Sequence, residues 1–232
     1  LDRDDVHEVY AEWRSVFNSY DPPRTAVAEA WVHPSRVPLY ASIESLGQSF
    51  NFDLLEADFD AGQFRRIVAD NLALAAQSGS LTTWVLSNDA ERGGRRARAA
   101  ALFVLGLPGS AYLYQGEELG LHEVAEIPDA ARQDPTYFRS PGVDIGRDGC
   151  RVPLPWSASG TAFGFGAGGA HLPQPEWFTT YAVDRQDGDP ASTLSLYRQA
   201  LDLRHELQTA EELEWLDLGR DGRGAGDACR PR

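Results

Sequence analysis

The chain has 232 residues, of which 24% are charged and 42% hydrophobic, and its net charge is −14. These fractions are ordinary for a globular protein, and they exclude collagen-like, intrinsically disordered and membrane-embedded classes. The negative charge disfavours a nucleic-acid partner, because the two polyanions would repel each other. The N-terminus lacks the basic start and apolar core of a signal peptide, so we expect a cytoplasmic location and no membrane partner.

Segments of strand character alternate with segments of helical periodicity, which predicts βα units in an α/β fold with a parallel sheet. A helix-like opening covers Val6–Tyr20. Apolar side chains at helical spacing predict one helix that ends near Gly79 and another over Arg95–Leu107. The four predicted strands are Thr25–Val32, Ser49–Leu55, Leu81–Asn88 and Ser110–Gln115.

The rest of the chain has a different character. Residues 121–189 are rich in Gly, Pro and aromatic residues, and a loop region of this length is usually functional or disordered. One more helix is predicted over Ser192–Leu207. Residues 219–232 carry no apolar pattern, so we expect a disordered tail. The cysteines Cys150 and Cys229 form neither a disulfide framework nor a metal pattern, and we predict no metal and no cofactor.

Polar residues stand near the ends of the predicted strands, where a parallel barrel places its reactive groups. Glu29 lies between Ala28 and Ala30, and a carboxylate among apolar strand residues is costly unless it is paired or used in chemistry. It is therefore a candidate general acid. The alternative is a half-exposed strand residue that pairs with a nearby Arg, and the spacing alone does not decide between them.

Two further groups follow the last two predicted strands. Asn88 and Asp89 close the third strand, where they could instead cap the following helix. Gln115, Glu117 and Glu118 follow the fourth strand, where adjacent carboxylates are either functional or part of a solvated loop. None of these signals is specific by itself.

The order of five sequence blocks carries a resemblance to a known family. The blocks are Thr25–Val32, Phe50–Asp53, Thr83–Asn88, Leu107–Gly120 and Gly146–Trp156. In this order they resemble glycoside hydrolase family 13, the α-amylase superfamily, and within it the α-glucosidase and oligo-1,6-glucosidase branch. In the last block Val152 stands where the branch usually has Thr. The resemblance spans nearly all of residues 1–218.

This resemblance implies a partial (β/α)8 TIM barrel, of which the chain would carry strands five to eight with an irregular loop region and a C-terminal helix. Residues 1–120 would be the C-terminal half of the catalytic barrel. Residues 121–218 would form the post-barrel loop region and the helix that leads to a β-sandwich domain outside this chain. Because the chain contains no Met, we interpret it as a fragment.

The resemblance also assigns roles to residues. Glu29 would match the general acid/base of a retaining enzyme, and the attacking carboxylate would belong to the fourth strand, before Leu1. The block with the transition-state stabiliser is Ser-Asn-His-Asp in the family, but here Ser87–Glu91 contains no His. Either Asp89 is the stabiliser and Asn88 contacts substrate, or a loop is deleted after Asn88. Arg147 would contact the innermost sugar.

The implied function is that of a fragment of a retaining α-glucosidase, which hydrolyses α-glucosidic bonds of malto- or isomalto-oligosaccharides. Its partner would be an α-glucoside oligosaccharide substrate. Without the strand that bears the nucleophile, we expect the chain to be inactive alone. The alternatives are a non-catalytic carbohydrate-binding or degenerate remnant, and part of a related transglycosylase or isomerase such as trehalose synthase.

Overall fold

The computed structural model describes residues 2–85, 94–140, 142–208, 213–216 and 228–231. The chain forms two compact units. Unit 1 contains Leu1–Leu86, Val104–Tyr112 and His205–Arg232, and unit 2 contains Ser87–Phe103 and Leu113–Arg204. The helices are α1 (Val6–Asn18), α2 (Val37–Ala41), α3 (Asp53–Glu56), α4 (Ala61–Ser78), α5 (Gly94–Gly106), α6 (Pro135–Arg139), α7 (Phe178–Tyr181), α8 (Val183–Gln186) and α9 (Thr193–Leu207). The strands are β1 (Ala26–Ala28), β2 (Gly47–Ser49), β3 (Thr83–Val85), β4 (Ser110–Tyr112), β5 (Leu213–Leu216) and β6 (Ala228–Pro231).

Unit 1 contains two pairs of parallel strands that follow each other in chain order. Strand β1 pairs with β2, and β3 pairs with β4. A parallel bridge between Asn51 and Trp84 joins the two pairs, and there the Asn51 N–H donates to the Thr83 carbonyl at 3.1 Å. The resulting order β1-β2-β3-β4 confirms the predicted succession of parallel strands, which is typical of consecutive βα units.

One face of these strands is held together by a buried amide. Gln48 on β2 donates from Nε2 to the Ser110 hydroxyl at 3.0 Å and accepts from the Tyr112 hydroxyl at 2.9 Å. Both partners lie on β4, so Gln48 ties β2 to β4 across β3. Side chains alternate along a strand, and the register therefore defines one shared face, called the Gln48 face below. Its residues are Val27, Gln48, Thr83, Val85, Ser110 and Tyr112.

The opposite face carries the apolar core of the strands. Trp84 is fully buried there, and its indole N–H donates to the Pro108 carbonyl at 2.5 Å. Helix α4 buries Phe64 and Val68, two of the residues whose spacing predicted it. The Asp60 side chain caps this helix by accepting from the Gln63 N–H, and Gly79 ends it at φ 64°, where a residue without a Cβ is favoured.

The second predicted strand, Ser49–Leu55, is largely wrong. Strand β2 ends at Ser49, and the predicted segment continues into helix α3 from Asp53. The cause is local, because the Asn51 side-chain oxygen accepts from the Asp53 N–H at 2.9 Å. Such a bond turns the backbone and competes with a strand ladder. The other three strands are also shorter than predicted, with three residues each.

Within the segment 219–232, for which a disordered tail is predicted, the structure describes residues 228–231 as strand β6. There β6 pairs antiparallel with β5, which places Glu214 opposite Arg230 and Trp215 opposite Cys229. Strand pairing uses backbone groups, so a segment without an apolar pattern can still form it. The Arg65 guanidinium lies 5.1 Å from the centre of the Trp215 ring, a cation–π distance.

Unit 2 contains a packed core, although its elements are short. Its predicted loop region folds around buried apolar residues. The many glycines and prolines therefore lie in the connections of a packed structure and not in a disordered segment. The predicted helix Ser192–Leu207 is confirmed as α9. Within the described ranges, no helix is both long and apolar enough to cross a lipid bilayer. The core residues are Val124, Ile127, Val152, Leu172 and Phe178.

Candidate functional site

Glu29 lies in unit 1, directly after the last residue of β1. Strand β1 ends at Ala28, whose carbonyl still accepts from the Phe50 N–H at 2.9 Å. The Glu29 side chain is exposed, so the prediction of a carboxylate inside an apolar strand is wrong. The predicted location at the C-terminal end of a parallel strand agrees with the structure, and this end is where barrels carry their chemistry.

An aromatic stack stands two residues beyond Glu29. The ring centroids of Trp31 and Phe52 are 4.0 Å apart and their planes differ by only 4°. Phe52 follows β2, so the stack joins the ends of neighbouring strands. Trp31 is nevertheless 64% exposed. One indole face is therefore covered by Phe52, while much of the remaining surface is open to solvent.

The stack continues into the Gln48 face. Phe50 lies 5.9 Å from Phe52 between ring centroids, and its ring meets Tyr112 edge-on at 4.8 Å. The Tyr112 hydroxyl in turn donates to the buried Gln48 amide. Offset and edge-on pairs of this kind each contribute about 0.5–1.5 kcal/mol beyond burial. The exposed Trp31 is thus supported by a continuous row of side chains, from Phe52 and Phe50 after β2 to Tyr112 on β4.

Two predicted site residues lie outside the described residues. Asn88 and Asp89 fall in the segment 86–93, which follows β3. Their roles as substrate contact and transition-state stabiliser stay predictions.

In unit 2, two carboxylates join separate loop segments reciprocally. The buried Asp148 accepts from the backbone N–H groups of Gln133 at 2.8 Å and Asp134 at 3.1 Å. The buried Asp134 accepts from the Arg147 N–H at 2.8 Å and from the Arg151 guanidinium at 2.9 Å. Each segment therefore satisfies backbone donors of the other, which fixes the loop that contains the predicted Arg147.

The loop needs a glycine next to Arg147. Gly146 has φ 69°, and a Cβ there would lie 2.7 Å from the Cβ and Cγ of Asp134. The close approach allows Asp134 to reach the Arg147 N–H. Arg147 itself is exposed, and its carbonyl accepts from the Cys150 thiol at 3.2 Å. Of the two arginines in the loop, Arg151 forms the ion pair with Asp134.

The Asp134 carboxylate predicts a pH dependence of stability. Backbone N–H donors from Thr136 and Arg147 lower the pKa of Asp134 to about 2, below the ordinary value of about 3.9. A carboxyl with a lowered folded-state pKa stabilises the fold above its unfolded pKa and loses this effect as the pH falls toward 2. We therefore expect the urea midpoint of Asp134→Asn to fall less steeply than that of wild type between about pH 4 and pH 2.

The matched control for this measurement is Asp144→Asn. Asp144 is an exposed carboxylate of the same loop, whose side chain accepts from the Gly146 N–H at 2.9 Å. It has no ion pair with Arg151 among the described contacts. Equal slopes for wild type and Asp134→Asn would contradict the assignment of the acid-sensitive contact to Asp134.

The predicted carboxylates after the fourth strand have different environments. Glu118 accepts from the Gly116 N–H at 2.9 Å, a local turn contact. Glu117 begins a short 3-10 helix, and burial, together with the neighbouring negative charge of Glu118, raises the pKa of Glu117 to about 8. Glu117 therefore holds its proton more strongly than an ordinary carboxyl group, whereas the Glu118 carboxylate accepts a backbone hydrogen bond of the turn.

The sequence analysis did not identify the Trp31–Phe52 stack or Asp134. The stack had a weak signal in the sequence. Trp31 stands two positions after Glu29, and side chains two positions apart in an extended chain point to the same side. Asp134 had none, because its partners lie 13 and 17 residues further along the chain.

Comparison with known proteins identifies the family. Residues 1–212 match the model of the alpha-amylase catalytic domain. The chain is 39% identical over 108 residues to a protein of Rhizobium meliloti named "Probable alpha-glucosidase", a match that covers 47% of this chain and 19% of that protein. It is 31% identical over 173 residues to Maltase A1 of Drosophila melanogaster, which covers 68% of this chain and 29% of that protein.

Solved structures of this family have the same fold. An alpha-glucosyl transfer enzyme superposes with a TM-score of 0.79 at 28% identity, over 94% of this chain and 43% of that chain. The trehalulose synthase MutB, solved with sucrose, superposes with a TM-score of 0.77 at 21% identity, over 99% of this chain and 48% of that chain. The chain thus spans less than half the length of these enzymes. The predicted family is confirmed, and the chain belongs to glycoside hydrolase family 13, the α-amylase family, as part of its catalytic domain.

Proposed function

We propose that the chain is one half of the catalytic barrel of a retaining α-glucosidase. In this proposal β1 to β4 are strands five to eight of the (β/α)8 barrel, residues 1–120 are the barrel half, and residues 121–218 are the post-barrel region. The parallel order of the strands supports it, because the pairing follows the chain order. The sequence match to the alpha-amylase catalytic domain supports it as well.

One observation carries the assignment of the site. Glu29 and the Trp31–Phe52 stack follow the C-terminal ends of neighbouring parallel strands, so a carboxyl group and an open aromatic ring come together at the reactive end of the sheet. Sugars present C–H groups on one face and hydroxyl groups at the edges. The open side of Trp31 can receive the C–H face, while the Glu29 carboxyl reaches the glycosidic oxygen.

The proposed chemistry is a double displacement with two carboxyl groups. A carboxylate from outside residues 1–232 attacks the anomeric carbon, and Glu29 donates its proton to the glycosidic oxygen as the bond to the leaving sugar breaks. Glu29, now a carboxylate, then takes a proton from water, and the hydroxide oxygen displaces the protein carboxylate from the anomeric carbon. The product keeps the α configuration and Glu29 regains its proton.

Arg147 is the proposed contact for the innermost sugar. The reciprocal carboxylate contacts of Asp134 and Asp148 support this role, because they fix the backbone on both sides of Arg147. A planar guanidinium on a fixed backbone can hold sugar hydroxyls with paired hydrogen bonds. Asn88 and Asp89 remain the proposed substrate contact and transition-state stabiliser after β3.

Glucosyl transfer is the second candidate function. It shares the covalent step with hydrolysis and differs in the acceptor, which is a sugar hydroxyl instead of water. The similarity to an alpha-glucosyl transfer enzyme at 28% identity favours it. The exposed ring of Trp31 also favours it, since an acceptor sugar needs a surface beside the acid/base.

Sugar titration tests the proposed site in the chain itself. We expect wild type to bind maltose or isomaltose in preference to the β-linked cellobiose, as measured by isothermal titration calorimetry. Trp31→Ala is expected to weaken binding about tenfold, because one stacked ring contributes about 1–1.5 kcal/mol. Trp156→Ala is the matched control, since Trp156 is another half-exposed indole and lies in unit 2. Binding that is equal for α- and β-linked sugars, or unchanged in Trp31→Ala, would refute the site.

A further inference from the structure

The backbone of Arg147 is held on both sides by hydrogen bonds. Its N–H donates to the Asp134 carboxylate at 2.8 Å, and its carbonyl accepts from the Cys150 thiol at 3.2 Å. The first bond fixes the peptide plane before Arg147, and the second fixes the plane after it. The relative orientation of two peptide planes sets the backbone dihedral angles between them. The direction in which the Arg147 side chain leaves the backbone therefore depends on the thiol as well as on the carboxylate.

Cys150 is in turn attached to the segment that follows β4. The Tyr114 hydroxyl donates to the Cys150 sulfur at 3.7 Å, and the Gln115 side-chain amide donates to the Cys150 carbonyl at 3.4 Å. Strand β4 ends at Tyr112, so both donors stand just beyond the C-terminal end of that strand. The two contacts involve the side chain and the backbone of the same residue. Cys150 thus joins the loop that contains Arg147 to the segment after β4.

The two hydrogen bonds at the sulfur run in the same direction. A thiol is a weak donor and a weak acceptor, and it can act as both at once. Here the sulfur accepts from the Tyr114 hydroxyl and the thiol donates to the Arg147 carbonyl. Consecutive hydrogen bonds of this kind polarise and strengthen each other. Partial burial raises the pKa of Tyr114, and so does its bond to Cys150, which keeps the hydroxyl protonated as a donor at neutral pH.

A third segment supports the short 3-10 helix to which Cys150 belongs. The Gly149 carbonyl accepts from the Val124 N–H at 3.1 Å, and a Cβ at Gly149 would lie 2.6 Å from the Cγ of Glu123. This close approach restricts any movement of the 3-10 helix toward residues 123 and 124. The backbone beside Cys150 therefore has a fixed support, and Tyr114 and Gln115 hold Cys150 relative to it.

We propose that Tyr114 is a positioning residue for the sugar contact of Arg147, and that it acts through the thiol of Cys150. The inference rests on the proposed function, in which Arg147 contacts the innermost sugar. Tyr114 does not touch the sugar in this arrangement. Its hydroxyl holds the thiol, the thiol holds the Arg147 carbonyl, and the guanidinium is presented to the sugar hydroxyls in one orientation. The segment after β4 thereby sets the geometry of a loop more than 30 residues further along the chain.

Hydrogen exchange of the chain, measured by mass spectrometry on peptides that span residues 143–152, tests the contact without any sugar. Tyr114→Phe removes only the hydroxyl group, and Cys150→Ala removes the thiol. Each is expected to speed exchange in these peptides about three- to tenfold, because a lost hydrogen bond of about 0.5–1.5 kcal/mol makes local opening easier. Cys150→Ser is expected to keep most of the protection, since a hydroxyl group can also accept and donate.

Tyr181→Phe is the matched control. The Tyr181 hydroxyl also forms one side-chain hydrogen bond in unit 2, at 2.9 Å to the His122 ring, so its loss is expected to leave exchange of residues 143–152 unchanged. The double variant Tyr114→Phe/Cys150→Ala is expected to exchange no faster than Cys150→Ala, because both changes break the same series of bonds. Unchanged exchange in Tyr114→Phe, or additive effects in the double variant, would overturn the inference.

Isothermal titration with maltose tests the consequence for sugar binding. Tyr114→Phe and Cys150→Ala are each expected to weaken binding about three- to tenfold, while Cys150→Ser and Tyr181→Phe bind like wild type. Faster exchange with unchanged maltose affinity would show a purely structural contact and would also overturn the inference. If wild type binds no maltose, the proposed function fails, and the exchange pattern alone decides whether Tyr114 holds Arg147. Circular dichroism checks folding, and if Tyr114→Phe does not fold then the two Cys150 variants decide.

Discussion

The purified chain of residues 1–232 is expected to release no measurable glucose from maltose or isomaltose. In the proposed mechanism the attacking carboxylate lies outside this chain, and without it the covalent intermediate cannot form. Removal of an enzyme's nucleophile lowers kcat on the order of 10⁶-fold, which takes the rate to the assay background.

Glucose release, measured with a coupled assay, checks this expectation. Clear turnover that disappears in Glu29→Gln would contradict it, because the chain would then hold a complete site. Glu44→Gln is the matched control, since Glu44 is an exposed carboxylate that precedes β2, while Glu29 follows the end of β1. Turnover retained equally in both variants would indicate a contaminating enzyme, and turnover lost equally in both would indicate general damage to the fold.

Trp84→Ala is expected to destabilise the chain by about 3–5 kcal/mol, the usual cost of truncating a fully buried aromatic residue. Trp84 has no exposed surface, its indole N–H donates to the Pro108 carbonyl, and its backbone forms the bridge that joins β2 to β3. The total stability of a domain is about 5–15 kcal/mol, so this loss would leave a large unfolded population.

Urea unfolding followed by circular dichroism measures the effect. Trp31→Ala is the matched control, because Trp31 is also an indole of unit 1 but is 64% exposed. It is expected to cost only about 1 kcal/mol, the contribution of its stack on Phe52. Similar losses in the two variants would show that Trp84 is not a central packing residue of the strands.

The sequence and the structure agree best where the signal is periodic. Helix α4 was predicted from apolar side chains at helical spacing and from Gly79 at its end, and both features are visible in its burial and its cap. Strand bounds were predicted less well. The segment from Ser49 was predicted as one strand, but a single side-chain bond from Asn51 to the Asp53 N–H starts a helix there.

In the candidate site, too, some features were predictable from the sequence and others were not. The position of Glu29 after a strand was predictable, because a carboxylate beside apolar residues is conspicuous in the sequence. Its position outside the strand was not predictable, since the length of β1 depends on pairing with β2. The Trp31–Phe52 stack joins residues that are 21 positions apart in the chain, and their contact is decided by the pairing of the strands that precede them.

By itself the sequence determined the family, the parallel α/β character, the longer helices and the identity of the candidate acid. These follow from periodicity and from the order of local blocks, which do not depend on distant partners. Only the tertiary structure decided that Gln48 ties β2 to β4, that Asp134 and Asp148 brace the Arg147 loop, and that Trp31 rests on Phe52. Each of these contacts joins chain segments through specific distances and directions, and such geometry arises only when the chain has folded.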